Sequence, residues 1–219
     1  MAPCCEASPC DACDARCCRG YVVPVTGEDL VRLSAGTGVA LHRLVACAPQ
    51  PTPTPAGFLL SPDGPAHELV LAAQAGHPAR PCAFLRDDGA RVRCEAYPFR
   101  PRACRRFPAA RCERGVRVRE GIVCEPGAWT THHVERLSFR TALLREEREA
   151  ALYAEVVARW NAGIAASGRA PATALAFLDH VAETYAWLLR WRAALRPRQR
   201  ASPDLPVRVR EALRAFPAG

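Results

Sequence analysis

The sequence predicts an α+β fold, with a small cysteine-rich region of short strands and helices followed by a C-terminal helical hairpin or bundle. Up to residue 126, short β-branched runs alternate with turn residues, and all 12 cysteines of the chain lie in this part. After Thr130 there is no cysteine, and apolar residues recur with the 3.6-residue period of helices. We therefore expect a cysteine-cluster region over residues 1–129 and a helical region packed on it over residues 130–219.

The first part of the chain predicts a strand, two short helices and an irregular connector. The run Tyr21 to Val25 has the β-branched composition of a strand. Thr26 is a suitable N-cap for a helix that ends at Gly36, and a second short helix is expected over residues 37–46. In residues 48–57 alternating prolines remove backbone donors and fix φ, so no regular structure is expected there.

Two hairpins are predicted next, each around an Asp-Gly turn signal, with strands at residues 58–61 and 68–73 and at residues 82–85 and 91–94. A helix is an alternative prediction for residues 68–73. The second hairpin would bring Cys82 and Cys94 near each other. Pro101 suits the first turn of a short helix that carries Cys104. Residues 114–123 predict a further hairpin or an exposed basic strand.

Three helices are predicted in the C-terminal region. The first covers residues 132–163 and is capped by Thr130 or Thr131, the second runs from Pro171 to about residue 195, and the third covers about residues 206–216. Their apolar stripes need a partner, so we expect these helices to contact the cysteine-rich region.

The composition favours a metal site over structural disulfides. The first ten residues contain neither a basic segment nor an apolar run, and no stretch is long and apolar enough to span a membrane. We therefore expect a cytoplasmic protein, with reduced thiols and no membrane partner. In that compartment clustered cysteines are more often metal ligands than disulfides. The formal net charge of +8 counts every thiol as neutral. Metal-bound thiolates would add negative charge and cancel much of this excess, so nucleic-acid binding is only weakly supported.

Four cysteines lie within nine residues, at positions 10, 13, 17 and 18. The spacing of Cys10 and Cys13 lets both sulfurs reach one ion while the intervening amides turn toward them. In an extended chain the vicinal Cys17 and Cys18 would serve different ions or one bridged cluster, whereas on a helix all four share roughly one face. Four thiolates in so small a volume repel one another unless cations are present. This stretch therefore predicts the first half of a metal centre.

Further cysteine motifs follow. They comprise Cys82-Ala83-Phe84-Leu85, then Cys94-x2-Tyr97-x2-Arg100-Pro101-x2-Cys104-Arg105-x-Phe107-Pro108, and then Cys124. Together with the first four cysteines, these motifs resemble the YkgJ-type cysteine-cluster family of zinc- or iron-chelating domains over residues 10 to about 126. The resemblance implies a metal-binding domain with the ligands Cys10, Cys13, Cys17, Cys18, Cys82, Cys94, Cys104 and Cys124.

Several features depart from that pattern or lie outside it. The C-terminal helices are not covered, and the proline-rich residues 48–57 differ from compact members of the family. Four cysteines have no place in the pattern, namely Cys4, Cys5, Cys47 and Cys112. We expect Cys47 to be a small hydrophobic residue in the protein interior.

Other side chains can support the predicted centre. Arg100 and Arg105 flank Cys104, so their guanidinium groups can donate to sulfur and balance thiolate charge, a role that the family pattern favours. Tyr97 can donate its hydroxyl to sulfur or simply pack. His132 and His133 could complete an open metal position, although a capping or surface role is favoured.

Three function classes remain open at this point. The first is a metal-binding protein with a structural or redox centre, which holds zinc in closed tetrahedral sites or iron, including an iron–sulfur cluster. The second is an enzyme of the oxidoreductase or methyl-transfer type, since related cysteine motifs also occur in a flagellin lysine methylase. The third is a zinc-built interaction or nucleic-acid module. The partners are metal ions and an unidentified protein or small molecule.

Overall fold

The computed structural model describes residue 9 and residues 13–50, 52–74, 81–89, 92–113, 115–135, 137–167, 171–200 and 205–215. The first half contains the helices α1 (Arg16–Gly20), α2 (Gly27–Thr37) and α3 (Leu41–Leu44) and the strands β1 (Val45–Pro49), β2 (Phe58–Leu59), β3 (Ala66–Leu71), β4 (Leu85–Asp87) and β5 (Val92–Cys94). A 3₁₀ turn (Tyr97–Phe99), α4 (Arg102–Arg106), β6 (Ala109–Cys112) and β7 (Gly115–Val118) follow. The remaining helices are α5 (Thr131–Val134), α6 (Leu137–Ser167), α7 (Ala174–Ala194), α8 (Pro197–Arg200) and α9 (Leu205–Ala215). The predicted α+β class is confirmed.

The strands form small antiparallel sheets. β3 lies between β1 and β2, β4 pairs with β5, and β6 pairs with β7. Both predicted hairpins are present, and the predicted alternative of a helix at residues 68–73 is wrong because β3 is paired on both sides. The expected basic strand at residues 114–123 is β7.

Two local predictions before the first hairpin are wrong. Residues 21–25 do not form a strand, because Pro24 has no amide hydrogen and only an isolated bridge to Val70 is made. The predicted helix over residues 37–46 is reduced to α3, since the chain enters β1 at Val45 to pair with β3. β1 runs into the proline-rich segment as far as Pro49, and an edge strand tolerates proline.

Helix α2 begins as its sequence predicts. The Thr26 hydroxyl accepts a hydrogen bond from the Asp29 amide, and the Asp29 carboxylate accepts one from the Thr26 amide. The helix continues past the predicted end at Gly36, through Thr37, and stops at Gly38, whose φ of 71° is left-handed.

The C-terminal helices deviate from the prediction mainly at their ends. The predicted single helix over residues 132–163 is divided into α5 and α6, with Thr130 as the N-cap of α5. α7 begins at Ala174 because the Thr173 hydroxyl accepts a hydrogen bond from the Ala176 amide. No helix in the described part of the chain is long and apolar enough to cross a membrane.

One hydrophobic core joins the small sheets to the long helices. Phe58 of β2 stacks on Phe177 of α7 with ring centroids 3.8 Å apart, and the Trp160 indole of α6 donates to the Leu59 carbonyl at 2.7 Å. Residues 25–96 and 152–213 both contribute buried side chains to this core. A smaller cluster around Val134 packs α5 and α6 on the β6–β7 hairpin. The division of the chain between residues 129 and 130 stays a prediction.

Candidate metal centre

Helix α1 presents the first pair of cysteines, Cys17 and Cys18. Its N-cap Ala15 has a left-handed φ of 60°, so the chain turns sharply as it enters the helix. Within the helix, the Cys18 carbonyl oxygen accepts a hydrogen bond from the Cys82 amide at 2.8 Å. This bond places the vicinal pair directly beside the start of the β4–β5 hairpin.

The β4–β5 hairpin positions two more thiols. Leu85 lies opposite Cys94 in the strand register, and the Glu95 amide donates to the Phe84 carbonyl oxygen at 3.0 Å. Cys82 and Cys94 consequently lie close enough for their side chains to interact electrostatically, as the predicted hairpin required.

Helix α4 carries Cys104 and is fixed to α2 by buried charge. The Arg102 amide donates to Asp29 at 2.9 Å, and the Arg102 guanidinium forms an ion pair with Glu28. Asp29 is 1% exposed and also pairs with Arg32 at 2.6 Å. The N-terminus of α2 therefore determines where the Cys104 thiol lies.

Burial acts on the thiols of the hairpin and of α4. Burial raises the pKa of the Cys104 thiol to about 12, and the neighbouring Cys82 and Cys17 add to this shift. Burial likewise raises the pKa of Cys82 and of Cys94. Without a cation in their midst these three groups are held as neutral thiols.

Cys17 and Cys18 behave as a hydrogen-bonded pair. The hydrogen bond from Cys18 lowers the pKa of Cys17 to about 7, and the charge of Arg100 acts in the same direction. The pKa of Cys18 is raised, first by this hydrogen bond and then by burial and by Cys82 and Cys104. The structure thus brings five of the predicted ligands together: Cys17, Cys18, Cys82, Cys94 and Cys104.

Backbone amides act on two of these sulfurs. The nearby amides of Phe84 and Leu85 act to lower the pKa of Cys82, and the Ala96 amide does the same for Cys94; the Leu85 amide also donates to the Cys82 carbonyl oxygen at 2.9 Å. The amides oppose the effect of burial, because they favour the thiolate over the thiol. Hydrogen bonds to sulfur are among the factors that tune a thiolate-bound metal centre.

Three side chains were predicted to support the centre, and in the structure each of them has a different position and role. The positive charge of Arg100 acts on Cys17, Cys94 and Cys104, while its guanidinium lies 4.0 Å from the centroid of the Tyr97 ring. Tyr97 is half exposed and packs under Arg100. Arg105 donates to the carbonyl oxygens of Arg100 at 3.1 Å and of Pro98 at 2.6 Å. Arg105 therefore orients the loop that carries Arg100.

Of the remaining predicted ligands, Cys13 and Cys124 are described and Cys10 is not. The Cys13 sulfur lies 3.8 Å from an Asp14 carboxylate oxygen. Cys124 is partly buried in a segment held against α1, since the Val123 amide donates to the Tyr21 hydroxyl at 3.0 Å. Cys10 lies outside the described residues, as do Cys4 and Cys5.

Two of the cysteines without a place in the family pattern, Cys47 and Cys112, are described by the structure. Cys47 is in β1 opposite Leu69, packs against the hydrophobic core, and has a pKa raised by burial, as expected for an interior hydrophobic residue. Cys112 ends β6. His133 Nδ1 accepts a hydrogen bond from the Thr130 amide at 3.0 Å, which is the predicted capping role.

The donor set suits zinc or iron, although it is not a finished coordination shell. Among the described residues, no three His, Cys, Asp or Glu side chains already stand as a metal-binding group. The five sulfurs are nevertheless close enough to shift one another's pKa values. A cation would permit their ionisation and satisfy soft donors that prefer zinc and iron.

Sequence reasoning missed the anchor of the centre, which consists of Glu28, Asp29 and Arg102. The capping box of α2 is visible in the sequence, because Asp29 follows Thr26 by three residues. Its second role toward α4 depends on a contact between positions 73 residues apart. A local pattern carries no signal for that contact.

Comparison with known proteins adds one match. A family model described as "CxxCxxCC: Putative zinc- or iron-chelating domain" matches residues 9–125, which is more than half of the 219-residue chain. No curated protein and no solved structure matches the chain. The matched span contains the five converging cysteines and ends before α5.

Proposed function

The chain belongs to the CxxCxxCC family, and from this membership we propose that it is a metal-binding protein that holds zinc or iron through clustered cysteine thiolates. The observation that carries the proposal is the convergence of five thiols from α1, the β4–β5 hairpin and α4. Thiolates gathered in a partly buried site are costly unless a cation offsets their charge, so deprotonation of these groups calls for a bound metal ion.

We assign the ligands in two groups. Cys17, Cys18, Cys82, Cys94 and Cys104 form the central group. The second group consists of Cys10, Cys13 and Cys124, which the family pattern adds. Arg100 is assigned to balance thiolate charge, whereas Arg105 and Tyr97 position Arg100. This assignment requires reduced thiols, the state that the cytoplasm maintains.

A structural role is supported by the lack of buried residues in two of the elements that carry ligands. Helices α1 and α4 have no fully buried residue. Metal binding would therefore supply cohesion that apolar burial does not provide, in a metal-binding unit over residues 1–129 with the C-terminal helices packed on it. Zinc would serve this role alone, while iron would add redox chemistry.

The test is elemental analysis of the purified protein together with its visible spectrum. Colourless protein with stoichiometric zinc supports the structural form of the proposal. Brown protein with iron and visible thiolate-to-iron absorption supports the redox form. Protein purified under reducing conditions that contains neither metal, and that binds neither when reconstituted, would refute the proposal.

A further inference from the structure

An open cleft of about 690 Å³ lies between the 3₁₀ turn, α4 and the first turns of α6. Four arginines line it: Arg100, Arg102, Arg105 and Arg145. Thr141 and Tyr97 also line it. The described residues that line the cleft include no Asp or Glu, so its lining carries positive charge only.

Most of this charge has no carboxylate to neutralise it. Arg102 is ion-paired with Glu28. Arg105 donates to carbonyl oxygens, and Arg100 lies over an aromatic ring. Arg145 extends from α6 and is exposed. Within the described part of the chain Arg100, Arg105 and Arg145 form no ion pair.

Hydrogen bonds within the protein hold part of the cleft wall. The two carbonyl contacts of Arg105, at 3.1 Å and 2.6 Å, fix its guanidinium in one orientation. Like charges held this close repel one another, and a bound anion would relieve the repulsion. Planar guanidinium groups recognise oxyanions by paired, charge-assisted hydrogen bonds.

We propose that this cleft binds a small organic anion through a phosphate or carboxylate group. The volume of about 690 Å³ exceeds what one oxyanion fills and lies within the range of small-molecule sites, about 300–1,000 Å³. Thr141 also lines the cleft, and its hydroxyl is a potential neutral donor. Arg100 borders both the cleft and the thiol cluster, so the ligand would lie next to the thiols.

This inference goes beyond the proposed metal binding and does not rest on it, because no cysteine lines the cleft. Calorimetric titration at low salt with inorganic phosphate and with succinate tests it, using Arg145→Gln and the control Arg148→Gln. Both arginines are exposed on α6, but Arg148 does not line the cleft. Since Arg145 is exposed, neither change threatens folding.

We expect one anion site in the unmodified protein, weakened at least about tenfold by Arg145→Gln and unchanged by Arg148→Gln. Tighter binding of phosphate or of succinate would identify the oxyanion group. Absence of binding by both anions, or equal weakening in both variants, would overturn the inference. Metal content measured on the same samples tests the metal proposal independently of anion binding.

Discussion

The amide of Cys82 donates a hydrogen bond to the carbonyl oxygen of Cys18 at 2.8 Å. This bond connects α1 to the start of the β4–β5 hairpin through the backbone. The cysteines of α1 and those of the hairpin are therefore neighbours whatever their side chains bind. The metal proposal therefore concerns what the assembled thiols hold. Changes to single sulfur atoms should affect metal content before they affect the path of the chain.

Replacing Cys104 by serine should lower bound metal and thermal stability together. The change removes one soft ligand, and metal binding to such a site contributes directly to the free energy of unfolding. We expect the metal-to-protein ratio to fall and the melting temperature to drop by about 5 °C or more. Elemental analysis and calorimetry measure both quantities.

Cys47→Ser is the matched control for that variant. Cys47 packs against the core from β1, and its substitution should cost about 1 kcal/mol of stability at most while metal content stays constant. If Cys104→Ser retained all its metal, the assignment of Cys104 as a ligand would be wrong.

Arg100→Gln should loosen the metal without unfolding the protein. Its positive charge acts on Cys17, Cys94 and Cys104, so its loss leaves thiolate charge less balanced. Residues that support metal ligands typically alter affinity by about 10- to 100-fold, and competition with a chelator measures this change. Arg93→Gln, an exposed change on β5, should leave the affinity as it was. Equal affinities in both variants would remove Arg100 from the centre.

Asp29→Asn should destabilise the whole domain. The carboxylate is 1% exposed, pairs with Arg32 at 2.6 Å and accepts from the Arg102 amide at 2.9 Å. Loss of its charge leaves a partly buried guanidinium without its partner, and we expect a cost of about 3 kcal/mol in denaturant unfolding. Asp63→Asn, at an exposed turn, should change stability by less than about 0.5 kcal/mol. Similar small effects at both positions would contradict the anchoring role.

Glu149 should make stability fall as the pH rises. Burial, together with the hydrogen bond and charge of Glu28, raises the pKa of Glu149 to about 8, while Tyr185 and Arg102 act in the opposite direction. Between about pH 4.5 and pH 8 the folded state holds a proton that the unfolded state has released, so the free energy of unfolding decreases through this range.

Glu149→Gln replaces the carboxyl group by an amide of similar size that can still form hydrogen bonds but does not titrate. Urea unfolding at pH 5, 6.5 and 8 should show a flatter pH dependence in this variant, by up to about 1.4 kcal/mol per pH unit. Parallel pH profiles for the two proteins would show that Glu149 does not hold the proton.

Local patterns in the sequence predicted much of the fold. The Thr26 cap, the two hairpins and the helix opened by Pro101 are all present, because turn and capping chemistry acts over a few residues. The errors lie where tertiary pairing decides. Pairing with β3 makes residues from Val45 onward a strand, where a helix was predicted up to residue 46. Pro24 limits the pairing of residues 21–25 to one bridge.

The ligand set inferred from the cysteine motifs stays a prediction, and five of its members lie near one another in the structure. The anchoring of α4 by Asp29 and the presence of both Arg145 and Arg100 in one cleft depend on contacts between distant segments. Arg105 illustrates the difference. Its proximity in sequence to Cys104 suggested a donor to sulfur, yet its guanidinium donates to backbone carbonyls.

X-ray absorption spectroscopy at the edge of the bound metal tests the central claim most directly. If the converging thiolates are the ligands, the first shell should be dominated by sulfur at about 2.3 Å, and its sulfur content should decrease in Cys104→Ser. The same spectrum identifies the element as zinc or iron. A first shell of only nitrogen and oxygen, or one unaffected by Cys104→Ser, would contradict the account.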